Sequence, residues 1–255
     1  MSNAVLERQL KKKALPAVYL FFGEEEFLIR QALTKLETWL RQHDDLAAKI
    51  VLDAADTPLA EALTAARSPQ LWGGRQLVIV WQAERYKAKD LKILETYLQS
   101  PAAPTCLVLV AAGLKFKEVQ AHNLWRQLLA AEAALGFPRL REGELPGWLE
   151  REARRQGKTL GPGVARQLIE VVGGNLLELY QELEKLMLYA GAEATITAAH
   201  TARLSSHSRT HTIFALVEAL GQRRPDTALK VLDRLLELRE APAVILVMLA
   251  RQIRL

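Results

Sequence analysis

The sequence predicts an α/β domain built on a parallel five-stranded sheet, followed by an all-α region. Two observations carry this expectation. Up to about residue 140, short apolar runs rich in β-branched and aromatic residues alternate with helical patterns; beyond about 141 only helical patterns continue.

The strand candidates are 17–22, 48–53, 76–81, 105–111 and, more weakly, 135–140. Each is apolar on consecutive residues, as a strand covered on both faces requires. Between them, apolar residues recur at helical spacing: Phe27, Leu28, Ala32, Leu36 and Leu40; then Leu59, Ala62, Leu63 and Ala66. Leu91, Leu94 and Leu98 continue the pattern, followed by Val119, Leu124, Leu128 and Leu129. Strands separated by helices imply right-handed crossovers and a parallel sheet.

After 141 the helical patterns cover 144–155, 162–172, 175–190 and 197–204, punctuated by Gly157, Gly161, Gly173-Gly174 and Gly191. Asn175 is expected as an N-cap, with Glu178 three residues on as in a capping box. The polar stretch Ser205–Thr212 then precedes helices near 212–220 and 225–238. A third begins near Ala241 and is still amphipathic at Leu255, so the last domain is expected to be incomplete. The domains expected are 1–140, 141–209 and 210–255.

Half of the 255 residues are hydrophobic and a quarter are charged, which is ordinary globular composition. The formal charge of +5 is spread along the chain, and Lys11-Lys12-Lys13, Arg154-Arg155 and Arg223-Arg224 read as solvated helix faces or ends. Cys106, the single cysteine, lies in an apolar run and is expected in the core. No apolar run approaches the ~18–20 residues of a membrane span and no secretory signal follows the N-terminus, so a cytoplasmic protein with no membrane partner is expected.

An α/β domain with a helical appendix invites a nucleotide site, and the place for one is the turn after the first strand. A phosphate loop needs a glycine-rich turn with free backbone N–H groups, then Lys and Ser/Thr. Here the chain reads Gly23-Glu24-Glu25-Glu26, a degenerate loop with three carboxylates in the place of the phosphates. Each like-charge contact at that range costs about 1–4 kcal/mol. The carboxylates are better placed to complement the N-terminus of the following helix. Gln82-Ala83-Glu84 after the third strand lacks the paired acids that hold magnesium. His207 and His211 share a helical spacing but have no third ligand, and Ser205, Ser206 and Ser208 lack a nucleophile context. No catalytic residue, metal site or cofactor is expected.

Binding remains. The segment Ser68-Pro69-Gln70-Leu71-Trp72, followed by Gly73-Gly74-Arg75, sets two large apolar side chains in a short connection between helix and strand. The pattern alone leaves open whether Leu71 and Trp72 face a partner or tuck back onto the sheet. A helix-turn-helix around Gly173-Gly174 is disfavoured, because its second helix carries Glu178, Glu182 and Glu184. Arg85, Lys87 and Lys89 are scattered basic residues that read as solvated loop charges, and no DNA-contacting residue is assigned.

Several stretches carry a resemblance to a known family. Val18–Leu28 and Ser68–Val80 resemble the opening and the clamp-binding element of the delta subunit of the bacterial DNA polymerase III clamp loader. Leu145–Leu149, Gly173–Leu179, Glu182–Leu186 and Ile213–Leu220 resemble its later domains. The resemblance implies an AAA+-like α/β domain without a working ATP site, a helical lid and the start of a helical collar. It implies that Leu71 and Trp72 enter a hydrophobic pocket on the β sliding clamp, with Trp72 where family members often carry Phe, and that Ser68 helps to set the turn. The implied partners are that clamp, the other clamp-loader subunits through the collar, and primed DNA in the assembled complex. The competing expectation is an ATP-hydrolysing AAA+ sibling subunit.

Overall fold

The continuous apolar runs form one sheet. The computed structural model describes residues 2–43, 46–68, 73–205, 216–217, 219–221, 224–237 and 242–253. The chain divides into two compact units, Met1–Arg139 and Leu140–Leu255.

In the first unit the elements are α1 (Ser2–Lys12), β1 (Val18–Phe22), α2 (Glu26–His43), β2 (Leu46–Asp53), α3 (Leu59–Arg67) and β3 (Arg75–Trp81). They continue with α4 (Ala88–Gln99), β4 (Thr105–Ala111), α5 (Phe116–Ala121), α6 (Asn123–Ala130) and β5 (Ala134–Gly136). The five strands pair in parallel in the order β2-β3-β4-β1-β5. This is the parallel five-stranded α/β sheet expected from the sequence. All residues of β1 and β4 are buried, as their unbroken apolar runs demand, whereas edge strand β2 alternates between half-buried and exposed residues.

Val18, Leu20 and Phe22 of β1 join Val78, Val80, Leu107 and Leu109 on one face. That face packs against Leu59 and Leu63 of α3, Leu94 and Tyr97 of α4, and Leu124 and Leu128 of α6. The alternate residues point to the other face, where α2 packs on β2, and α1 on β5 and α2. Cys106 is buried there, as its apolar run predicts.

Three local features depart from the sequence pattern. Helix α1 has no counterpart in the predicted elements. Its Leu6 and Leu10 are buried, and buried Gln9 accepts from the Tyr19 hydroxyl (2.9 Å) and donates to the Glu132 carbonyl (2.9 Å). With so few apolar positions, α1 owes its stability to that docking rather than to its own pattern. The helical pattern from Val119 to Leu129 divides into α5 and α6, because His122 is extended (φ −91°, ψ 126°). Strand β5 is only Ala134–Gly136 instead of 135–140, since Pro138 has no N–H with which to continue the ladder.

The second unit contains α7 (Leu145–Arg155), β6 (Thr159–Leu160), α8 (Val164–Val172), α9 (Leu176–Ala190), β7 (Thr195–Ile196) and α10 (Ala198–Ser205). Helices α11 (Pro225–Glu237) and α12 (Pro242–Ile253) follow. Strands do not stop at 141: β6 and β7 pair in parallel, with Thr159 N–H donating to Ala194 O and Gly161 N–H to Ile196 O. Two-residue strands are too short for any periodicity to register. The Asn175 cap forms as expected, its Oδ1 accepting from the N–H groups of Leu177 and Glu178. Glu178 does not close the capping box on the backbone; it accepts from the Asn175 side-chain amide. Leu216, Ala219, Ala228, Leu235 and Ile245 form a small apolar cluster. His207 and His211 lie outside the described residues, as do Ser206 and Ser208. Among the described residues no helix is long and apolar enough to cross a membrane.

Candidate partner-binding site

The turn after β1 lies where a nucleotide would be sought, at the carboxyl ends of the strands. Gly23 has φ +118°, and a Cβ there would sit 2.3 Å from the Phe137 carbonyl oxygen. Phe137 N–H donates to Phe22 O (2.7 Å), Glu25 N–H donates to Phe137 O (3.0 Å), and Gly23 N–H reaches Ala111 O (3.4 Å). Amide donors that would cradle a phosphate are thus engaged by backbone carbonyls.

Two of the three acids have local roles. The carboxylate of Glu25 accepts from the Phe27 N–H and so caps α2. Glu26 pairs with Arg30 one turn along (2.5 Å), and the Arg30 guanidinium lies 4.5 Å from the centre of the Trp81 ring. Burial raises the Glu25 pKa, opposed by the Arg139 charge and the bond from Phe27. A raised folded-state pKa means that Glu25 contributes stability at pH values below its unfolded pKa, and that this contribution disappears as the pH rises through the folded value. Denaturant titrations from acid to neutral pH should therefore show Glu25→Gln gaining stability relative to the parent as the pH rises across the carboxylate range.

After β3, Gln82 adopts a left-handed conformation and its amide donates to Asp53 Oδ2 (2.8 Å), while Asp53 Oδ1 accepts from Ala55 N–H. Arg85 donates to Gln82 Oε1, and Lys87 N–H donates to Asp90 in the capping box of α4. Arg85, Lys87 and Lys89 are exposed. Among the described residues no cluster of three His, Cys, Asp or Glu could hold a metal ion.

The connection from α3 to β3 starts from a helix end that is tied by hydrogen bonds. Ser68 donates its N–H to Ala65 O and its hydroxyl to Thr64 O (3.0 Å). Ala65 O also accepts from the side-chain amide of Gln76 (3.1 Å), and Ala66 O accepts from the Thr105 hydroxyl (2.8 Å). At the far end Gly73 and Gly74 both have positive φ, +76° and +82°, which glycine adopts without steric cost. Pro69, Gln70, Leu71 and Trp72 lie outside the described residues. Gln76 and Thr105 had no part in the sequence-based site. Their one visible signal is that each is a polar residue at the head of an apolar strand run.

Two family models account for most of the chain: one described as DNA polymerase III, delta subunit, matches residues 19–135, and one for the C-terminal domain of that subunit matches residues 210–255. The chain belongs to the DNA polymerase III delta subunit family. The DNA polymerase III subunit delta of Bacillus subtilis is 28% identical to this delta-family chain over 257 residues, covering 97% of this chain and 74% of the relative. A probable DNA polymerase III subunit delta of Aquifex aeolicus is 24% identical over 242 residues, covering 91% and 67%. Among solved structures, the DNA clamp loader delta protein of B. subtilis superposes with a TM-score of 0.79 at 27% identity, covering 100% of this chain and 77% of that one. The delta-family sheet is thus attached to a DNA replication role, with the glycine loop after β1 closed by its own backbone.

Proposed function

We propose that this chain is the clamp-loader delta subunit that binds and opens the β sliding clamp, without nucleotide chemistry of its own. The observation that carries this reading is the turn at Gly23: it is acidic, its amides are engaged by the Ala111 and Phe137 carbonyls, and it belongs to a delta-family chain. Such a scaffold is suited to mechanical work. Its wedge is the segment Ser68–Trp72, with Leu71 and Trp72 entering an apolar pocket on the clamp. Binding opens a ring only if the binder has higher affinity for the open geometry, because a ligand of equal affinity for both states shifts nothing.

In this reading residues 1–140 hold the clamp, 141–209 form a lid, and 210–255 begin a collar that joins the other clamp-loader subunits. Primed DNA is met in the assembled complex, in the cytoplasm, and no cofactor or metal takes part. The test is association of the purified chain with purified β clamp in the absence of nucleotide, beside calorimetric titration with magnesium-ATP. We expect clamp binding and no ATP heat. No clamp association would refute the reading, and micromolar ATP affinity would favour an ATP-hydrolysing sibling subunit instead.

A further inference from the structure

The last turn of a helix leaves carbonyl groups without intrahelical partners. At the end of α3 two of these are met by side chains from the sheet. Gln76 donates to Ala65 O at 3.1 Å and Thr105 donates to Ala66 O at 2.8 Å. The two residues are register partners at the heads of adjacent strands β3 and β4, and only 1% and 5% exposed respectively. Gln76 N–H is itself held by Pro104 O (3.1 Å).

Packing alone does not account for them. A buried polar side chain costs free energy unless its hydrogen bonds are made, and Gln76 Oε1 is buried with no hydrogen-bond partner. An apolar residue would fill the same place without an unmet acceptor. The amide makes sense if the direction in which α3 ends is what matters. Together with Ser68 bonding to Thr64 O and Ala65 O, three consecutive carbonyls of that turn are tied down immediately before residue 69.

We infer that Gln76 and Thr105 are positioning residues that fix the exit of α3, the helix leading into Ser68–Trp72, and thereby strengthen binding to the clamp. This rests on the clamp-binding reading of Ser68–Trp72 given above. Pre-organisation removes ordering cost from binding, and a protein that holds the competent arrangement for only a tenth of the time binds about ten-fold more weakly.

The experiment measures affinity for purified β clamp in the full chain carrying Thr105→Val, Gln76→Leu or Thr105→Ser. Each is checked for native circular dichroism at the assay temperature. Leu124→Ala, a core truncation in α6 remote from the α3 exit, is the stability control. We expect Thr105→Val and Gln76→Leu each to weaken clamp binding about ten-fold, Thr105→Ser to restore it, and Leu124→Ala to lower the melting temperature without changing affinity. Gln76→Leu keeps the test open if Thr105→Val fails to fold. Wild-type affinity in both brace variants, with binding abolished by Leu71→Ala plus Trp72→Ala, overturns the positioning role and leaves the clamp-binding reading intact. An equal loss in Leu124→Ala overturns it too, by reducing the effect to stability. If the unmodified chain does not bind the clamp, both readings fall.

Discussion

Replacing Leu71 and Trp72 together with alanine is expected to abolish binding to the β clamp while leaving the far-ultraviolet circular dichroism spectrum native. Burying one aliphatic and one aromatic side chain on a partner contributes about 3–6 kcal/mol. Losing it weakens affinity by roughly two to four orders of magnitude. The elements on either side have their own anchors. Leu59, Ala62, Leu63 and Ala66 of α3 are buried, as are Leu77 to Val80 of β3, and the α3 exit is tied by Ser68, Gln76 and Thr105. The fold should therefore survive the double change. Surface plasmon resonance against immobilised clamp reads the first half of the prediction and circular dichroism the second. A native spectrum with unchanged affinity would remove these two residues from the interface. A collapsed spectrum would mean that they belong to the protein's own core.

Gly23→Ala is expected to destabilise the first unit by about 3–5 kcal/mol, a large part of the ~5–15 kcal/mol that holds a typical domain folded. Two effects add. At φ +118° an L-residue is strained, and the new methyl carbon would lie 2.3 Å from the Phe137 carbonyl oxygen and 2.6 Å from its carbon. Those are backbone atoms, and Phe137 cannot easily withdraw. Its N–H is bonded to Phe22 O, its side chain is 2% exposed, and its ring lies 5.4 Å from that of Phe21. Gly73→Ala is the internal comparison. Its φ is also positive, but nothing lies within 4 Å of the added carbon, so only the conformational cost of about 1 kcal/mol applies. Chemical denaturation of both variants decides the matter: if the two lose similar stability, the contact with Phe137 is not what constrains the turn.

The parallel sheet was legible because burial on both faces writes itself into β1, β3 and β4 as uninterrupted apolar runs. Their observed limits fall within a residue of those expected. Edge strand β2 extends two residues further toward its N-terminus than its pattern suggested. Helix α1 was invisible for the opposite reason, since its register is held by Gln9 reaching Tyr19 and Glu132, more than a hundred residues further along in the second case. The acidic composition of Gly23–Glu26 could be read directly, but the closing of that turn by Phe137 could not.

Composition and periodicity were therefore sufficient for whatever repeats along the chain: which runs are strands, which faces of helices are apolar, and which residues are missing from a phosphate loop. Resemblance along the chain added the family. Packing in three dimensions settled the features that depend on one atom meeting another from a distant segment: Phe137 O against Gly23, Gln76 on Ala65, Thr105 on Ala66. The reason is physical. Hydrophobic burial acts on surface area and leaves a periodic trace in sequence, whereas a hydrogen bond or a steric contact is a single short-range event whose partners share no local pattern.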